Sequence, residues 1–541
     1  MTEPRRDFAL WLFVAFAIRV IGAATHSSFA SADEWFQTVE FGHYLSDGFG
    51  AYSQEVSLHL RNMTWPVLIA GSFKLAHWID PHSVWFRVFL YQLLSGILDL
   101  GIAWGWWRMA RTLGVSRKWM NAGFALVILP WFTAKNSIRP SAEHLSAAML
   151  WIALGFATMR CWTASGFFSV AIVAFRYPSG FFSVGLGVSV ALRAIRRRDY
   201  SFLWKFAVGA GIGLFVFGLP DFWVYGRPWE SLWMYTQYNV FLGLGAKVFG
   251  KQGAIVYWSI FHDEWFRALL PLGIALALSS AYGFWKGLSR FEEWAWASIF
   301  FLVPHFFVAH KEPRFILPMD ALFLWGAYEG AYFLSKTELV RRIFSWHAWK
   351  VIVTYVVCAN ALLLVHTLIG ESFVSWQTYL RVGNWLEKYP EACAVITSRP
   401  LVSSTQPRVE AGEIWGPGSV AWPDHLPSCV EKEHFLLNLN RPDLLWEKSG
   451  CELLPSGVLA VLPRASWGWV LKKDLLRGPW YRCPARALAK FRDQTVEHPY
   501  FTRIKKLPEL PPLGISAEMF MKEIVAITPS SECNHLCSGM Y

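Results

Sequence analysis

The chain has 541 residues, of which 54% are hydrophobic, 17% aromatic and 16% charged. A water-soluble protein of this size carries about a quarter charged residues, so the composition excludes an ordinary soluble enzyme and points to a membrane protein. The net charge of +11 is spread over short clusters between apolar runs, not along one face, which excludes a nucleic-acid footprint and reads as membrane topology.

Arg5 and Arg6 precede the apolar run Phe8 to Ala24, which Arg19 interrupts. No small-residue cleavage site leads into a soluble segment, so the run predicts a first membrane helix with a cytoplasmic N-terminus, not a removable leader. Just beyond it stands Ser31-Ala32-Asp33-Glu34-Trp35-Phe36-Gln37, two adjacent carboxylates with aromatic residues downstream. Acids at a membrane boundary are expensive to desolvate, which a proton or a cationic partner would explain; a helix cap or a water-facing pair is the plainer account. Further spans are predicted over 83–107, 119–134, 141–159, 166–175, 178–194, 202–219, 265–285, 294–309, 315–334 and 349–368. The expected fold is an α-helical polytopic membrane protein with about eleven transmembrane helices over 1–370.

The apolar stretch 65–79 carries Lys74 and His77. If it stays interfacial, Arg108/Arg111/Arg117/Lys118, Arg193/Arg196/Arg197/Arg198, Lys286/Arg290 and Arg341/Arg342 all share the cytoplasmic side with Arg5/Arg6; if it crosses, every later cluster flips. Taken as interfacial, it makes 25–82 a first external loop and 220–264 a long one. The same count gathers Asp33, Glu34, Arg139, Arg176, Asp221 and His310-Lys311-Glu312-Pro313-Arg314-Phe315 on the opposite face. Cations there run against the topology rule and suit a phosphate-bearing substrate, although an arginine at one helix end more often snorkels or pairs with an acid. A carboxylate could take a proton from an acceptor hydroxyl while the cations stabilise a departing lipid phosphate. An Asp-x-Asp metal site for a nucleotide sugar occurs nowhere in the chain, so the expected chemistry needs no metal and no cofactor.

Gly245 to Lys251 has the spacing of a phosphate-binding loop, but Gln252 replaces the hydroxyl residue and no strand precedes it. From 371 to 541 the character changes to Pro-rich turns and short apolar runs such as 392–396 and 457–461, which predicts a small α/β domain on the non-cytoplasmic side. Six of the eight cysteines lie there (Cys393, Cys429, Cys451, Cys483, Cys533, Cys537), as disulfides in an oxidising compartment would require. Cys533 and Cys537 with His535 form only a weak metal pattern.

Asp33-Glu34-Trp35-Phe36-Gln37 resembles the His-Pro-Asp-Glu-x-Phe-Gln loop of glycosyltransferase family 22, the multi-pass α-mannosyltransferases that use dolichyl-phosphate mannose in N-glycan and GPI-anchor assembly. His310-Lys311-Glu312-Pro313-Arg314-Phe315 resembles their His-Lys-Glu-x-Arg-Phe signature, the most specific match. Arg139-Pro140-Ser141-Ala142-Glu143 and Phe175-Arg176-Tyr177-Pro178 are similar to their Arg-Thr-x-Ser-Asn-x-x-Glu stretch and Arg-Pro-Thr turn. Asp221, Tyr225-Gly226 and Tyr238-Asn239 follow in the family's order, with the GPI-anchor branch nearest. Ser31-Ala32 stands where the family has His-Pro, and Lys251-Gln252-Gly253-Ala254 where it has His-Pro-Trp-His.

The resemblance implies a GT-C fold and metal-independent inverting transfer of a sugar, most simply mannose, from a polyprenyl- or dolichyl-phosphate donor to a lipid-linked or glycan acceptor. It places the catalytic acid at Asp33 or Glu34, the donor phosphate on Arg139, Arg176, His310, Lys311 and Arg314, and substrate on Gln37, Asp221, Tyr238, Asn239 and Glu312. The expected location is a bacterial inner membrane or the endoplasmic reticulum membrane, with membrane lipids and no nucleic acid as partners. Transfer of a pentose or glucose on the same fold is the nearest alternative. A lipid-linked saccharide transporter is the other, and it would place charges near the bilayer midplane instead of at helix mouths.

Overall fold

In a computed structural model of the chain, the described residues are 3–25, 38–47, 54–80, 84–139, 141–257, 272–290, 292–338, 358, 362 and 364, with five strands between 392 and 484. Asp33, Glu34, Gln37, Arg341, Arg342, most of 349–368, the run 457–461, His535 and four of the C-terminal cysteines (Cys429, Cys451, Cys533, Cys537) lie outside them. The chain divides into two units, Met1–Asn384 and Trp385–Tyr541.

The first unit is helical. Its helices are α1 Glu3–Thr25, α2 Glu40–Asp47, α3 Gln54–Ser57, α4 Thr64–Ile79, α5 Val84–Thr112, α6 Arg117–Ile128, α7 Trp131–Ser137 and α8 Ala142–Thr158. There follow α9 Trp162–Phe175, α10 Gly180–Arg197, α11 Ser201–Tyr225, α12 Glu230–Thr236, α13 Leu244–Phe249, α14 Leu272–Ser289, α15 Glu293–Phe307 and α16 Asp320–Leu334. Among the described residues, Arg6–Thr25, Phe86–Thr112, Tyr177–Arg197 and Ser201–Tyr225 are long and apolar enough to cross a bilayer. The helix α4 has 16 residues; at about 1.5 Å per residue it rises roughly 24 Å, short of the ~30 Å hydrocarbon core. One of its faces buries Trp65, Ile69, Phe73 and Ala76, while Trp78 on the other is 82% exposed.

Three predicted boundaries are corrected, two of them by proline and the third in spite of one. The span 119–134 is two helices, α6 and α7, because Pro130 sits extended between them (ψ 134°) and supplies no N–H to continue the ladder. The span 315–334 begins only at Asp320, since Pro313 and Pro318 confine 313–319 to a tight 3-10 turn. Conversely, α11 runs through Pro220 to Tyr225 and ends at Gly226 in the left-handed region (φ 81°). Asp221 is therefore a buried helical residue and not part of a loop. The phosphate-loop spacing at 245–251 falls mainly on the short helix α13.

Small residues set the helix crossings. A Cβ on Gly209 of α11 would collide with the Thr163 carbonyl of α9, and one on Gly166 with the Phe206 carbonyl in return, so the two backbones touch where only glycine fits. Large aromatics fill the spaces that remain. Trp106 of α5, Trp151 of α8 and Trp325 of α16 pack with ring centroids 5.0–6.0 Å apart, and Phe182 of α10 stacks on Phe301 of α15 at 4.0 Å.

Charge is not confined to helix mouths, which corrects the expectation drawn from the sequence. Arg19 of α1 donates to Asp99 Oδ2 of α5 from Nε at 3.0 Å and from Nη2 at 2.5 Å, and His144 Nε2 of α8 contacts the other carboxylate oxygen. Asp99 lies well inside the 29-residue α5 and is fully buried. Asp99 meets one basic group on each oxygen, so the cluster ties three helices together.

The second unit holds a five-stranded mixed sheet. Its strands are β1 Ala392–Thr397, β2 Glu410–Glu413, β3 His434–Asn438, β4 Glu452–Leu453 and β5 Trp480–Pro484, in the order β2-β1-β3-β5-β4. Strand β1 covers the short apolar run 392–396; it pairs in parallel with β2 and β3, and β5 runs antiparallel to β3 and β4. Cys393 lies in β1 and Cys483 in β5.

Candidate active site

The site is built around Glu143. Ser141 caps α8: its Oγ lies 3.4 Å from the His144 N–H, which it accepts, and it donates to Glu143 Oε2 at 2.9 Å. A carboxylate in the first turn is favoured by the exposed N–H groups and dipole of the helix start. Glu143 is 3% exposed, yet two arginines from distant segments converge on its Oε1. Arg176 Nη1 lies 2.7 Å away and Arg314 Nε 4.0 Å away.

Local sequence explains how those arginines get there. Arg176 ends α9 in an extended conformation (φ −155°, ψ 118°) just before the Tyr177-Pro178-Ser179 turn, so it stands where the chain reverses between α9 and α10. Arg314 rides the 3-10 turn that Pro313 opens. Phe315 lies between them, with the Arg176 guanidinium 5.0 Å and the Arg314 guanidinium 5.9 Å from its ring centroid.

The rest of the 310–315 signature folds back on itself. Glu312 Oε2 accepts from Arg314 Nε at 2.5 Å, and its Oε1 lies 2.9 Å from His310 Nε2. The Lys311 N–H donates to Gln252 Oε1 at 2.7 Å, while its ammonium donates to the carbonyls of Gln252 (3.2 Å) and Val308. Both ammonium acceptors are neutral, so this buried charge adds to a positive field. Tyr257, on a 3-10 turn in the long loop, has its hydroxyl pushed up to about 12, by burial first, with Arg176 opposing and Glu312 adding. The Tyr235 hydroxyl is raised as well, by burial against the pull of Arg176 and Arg61.

Three of the five predicted phosphate ligands, Arg176, His310 and Arg314, thus meet in one cluster with Glu143 and Glu312, while Lys311, next to His310 in the chain, turns its ammonium onto the Gln252 and Val308 carbonyls. Arg139 lies buried at the turn before α8, donating from Nη1 to Asn136 Oδ1 at 2.8 Å, and its carbonyl accepts from Ser95 Oγ at 2.7 Å. Asp221 has both carboxylate oxygens engaged within the chain. Oδ1 accepts the Met63 N–H at 2.9 Å, and Oδ2 accepts from the N–H (3.2 Å) and the hydroxyl of Ser231, whose hydroxyl also meets Tyr177 Oη. Tyr238 and Asn239 stand on a π-helical turn, Gln237–Phe241, where Asn239 Nδ2 donates to the Tyr235 carbonyl at 3.2 Å. Sequence reasoning missed Glu143 as the hub and Gln252 as the Lys311 anchor. The available signals were an acid two residues past the Ser141 cap and the departure at 251–254.

Residues 10–380 match the model of the Alg9-like mannosyltransferase family. GPI mannosyltransferase 3 of Drosophila melanogaster is 25% identical over 347 residues, 60% of this chain and 58% of the fly protein. GPI mannosyltransferase 3 of Yarrowia lipolytica is 23% identical over 371 residues, 66% of this chain and 68% of the yeast protein. The chain thus spans under two thirds of the fly protein's length. The crystal structure of ArnT from Cupriavidus metallidurans in the apo state superposes with a TM-score of 0.44 at 13% identity, covering 74% of this chain and 84% of that one. With well over half of its length matched by the family model, the chain belongs to the Alg9-like mannosyltransferase family.

Proposed function

We propose that this protein transfers mannose from a polyprenyl- or dolichyl-phosphate donor to a lipid-linked or glycan acceptor on the non-cytoplasmic face of its membrane, by inverting displacement without a metal. The observation that carries the reading is the convergence of Arg176 and Arg314 on Glu143 beside Phe315. The buried Glu143 carboxylate draws the Arg176 guanidinium to 2.7 Å while Glu312 holds that of Arg314, and donors placed in this way suit a leaving group whose charge grows as the reaction proceeds.

In this reading Asp33 or Glu34 takes the proton of the acceptor hydroxyl as its oxygen attacks the sugar anomeric carbon. The bond from that carbon to the phosphate oxygen breaks on the opposite face, which inverts the centre, and the lipid phosphate leaves into the field of Arg176, Arg314 and Lys311. Arg139 and His310 complete the phosphate set, and Gln37, Tyr238 and Asn239 are assigned to sugar or acceptor. Asp221 and Glu312, occupied within the chain, serve to hold loops and to orient Arg314. The names of the relatives, GPI mannosyltransferase 3 and GPI alpha-1,2-mannosyltransferase 3, favour an α-1,2 linkage to a glycolipid of the GPI type.

The test is transfer by the purified protein in detergent with EDTA, from a short-chain polyprenyl-phosphate mannose to mannose-terminated acceptors. Activity that survives EDTA and falls by about 10³-fold or more in Asp33→Asn or Glu34→Gln is expected. Full activity in both variants, or loss with EDTA, would overturn the mechanism.

A further inference from the structure

We infer that Arg61, held by Glu55 in the first external loop, is a further ligand for the phosphate of the lipid-linked donor; this rests on the donor class proposed above. The backbone around Arg61 is fixed to the same frame as Arg176. The Arg61 carbonyl accepts from Tyr225 Oη at 3.2 Å, and two residues on the Met63 N–H donates to Asp221 Oδ1 at 2.9 Å. The other oxygen of Asp221 holds Ser231, whose hydroxyl contacts Tyr177, the residue after Arg176. On the other side Trp65 packs on Phe175, the residue before Arg176, with ring centroids 6.1 Å apart. Arg61 and Arg176 are thereby brought to one place from segments more than 100 residues apart.

The side chain has the disposition of a ligand and not of a structural tie. Glu55 Oε2 accepts from Arg61 Nε at 2.5 Å, which fixes the guanidinium plane, while the two side chains remain 24% and 27% exposed. The arginine of the mid-helix cluster, Arg19, is only 3% exposed. A part-exposed ion pair of this kind adds little to stability. His59, two residues earlier, adopts the left-handed conformation (φ 55°) and stacks on Tyr225 at 4.2 Å; a non-glycine residue in that region requires the surrounding structure to hold it there. Tyr235 gives supporting evidence, because its buried hydroxyl is acted on by both the Arg176 and Arg61 charges. A planar guanidinium fork matches phosphate oxygens, and a lysine at the same place would supply charge without the fork.

The experiment measures affinity of the full chain in detergent for a short-chain polyprenyl monophosphate, the leaving group, and for the polyprenol of equal length. Wild type is expected to bind the phosphate more tightly than the alcohol. Arg61→Ala is expected to lose about tenfold or more in phosphate affinity with alcohol affinity unchanged, and Arg61→Lys, a variant that keeps the charge, to fall between. Wild-type phosphate affinity in both variants overturns the role of Arg61 alone. A wild-type protein that does not distinguish phosphate from alcohol overturns the donor reading, and this inference with it.

Discussion

Adjacent residues at the start of α8 belong to two different kinds of charge cluster. His144 faces Asp99 and Arg19, and Glu143 faces Arg176 and Arg314. In the first cluster the side chains are 7%, 0% and 3% exposed, and the Asp99 carboxylate has one basic partner on each oxygen. In the second, exposure rises outward from Glu143 at 4% and Arg176 at 7% to Arg314 at 20% and Glu312 at 28%. Burying charge is costly in both places. The closed cluster offsets that cost internally and fixes helices; the graded one keeps its outer side part-exposed.

The largest expected effect lies in the closed cluster. Asp99→Ala would leave a guanidinium and an imidazole buried without their carboxylate, a loss of about 3–5 kcal/mol. Folded yield and thermal unfolding in detergent should fall sharply, and transfer should fall only in step with the folded fraction. A variant with wild-type unfolding temperature would erase the distinction drawn above. Arg314→Ala tests the open cluster. Turnover should drop by roughly 10²-fold, as for loss of a donor aimed at developing charge, while the unfolding temperature stays near that of wild type because Arg314 and its close partner Glu312 are both part-exposed and the buried Glu143 keeps Arg176. Equal losses of stability and turnover would make Arg314 another scaffold residue.

The sequence made one half of this contrast visible. Residues 310–315 form a contiguous signature, and most apolar runs became helices close to the lengths expected, because hydrophobic pattern and local chemistry act over a few residues. Arg19 read only as an interruption of the first span, since its partner Asp99 lies 80 residues away. Glu143 looked like one letter of a cap motif, yet its partners are 33 and 171 residues downstream. Pairings of that range are set by helix crossings such as Gly166 against Gly209, which no local period encodes. Prolines misled in both directions: Pro130 broke a predicted span, whereas Pro220 sits inside α11 and carries Asp221 into the helix.

The smallest expected effect concerns the loop that carries Arg61. Burial lowers the His59 imidazole below its ordinary value, against Glu230, whose Oε1 lies 3.9 Å from Nδ1. The folded loop therefore prefers neutral His59, and the unfolded chain binds the extra proton first. This contribution to stability is complete above the unfolded value of about 6.5 and is lost as pH falls through the lowered folded value. Thermal unfolding compared at about pH 7.5 and about pH 5.5 should show a larger drop for wild type than for His59→Gln, by no more than a few degrees. Because carboxylates titrate in the same range in both proteins, the difference between the two drops is the quantity that reports on His59. A larger drop in His59→Gln would mean that the protonated ring is the form the fold prefers, bound to Glu230, and that the loop around Arg61 tightens in acid.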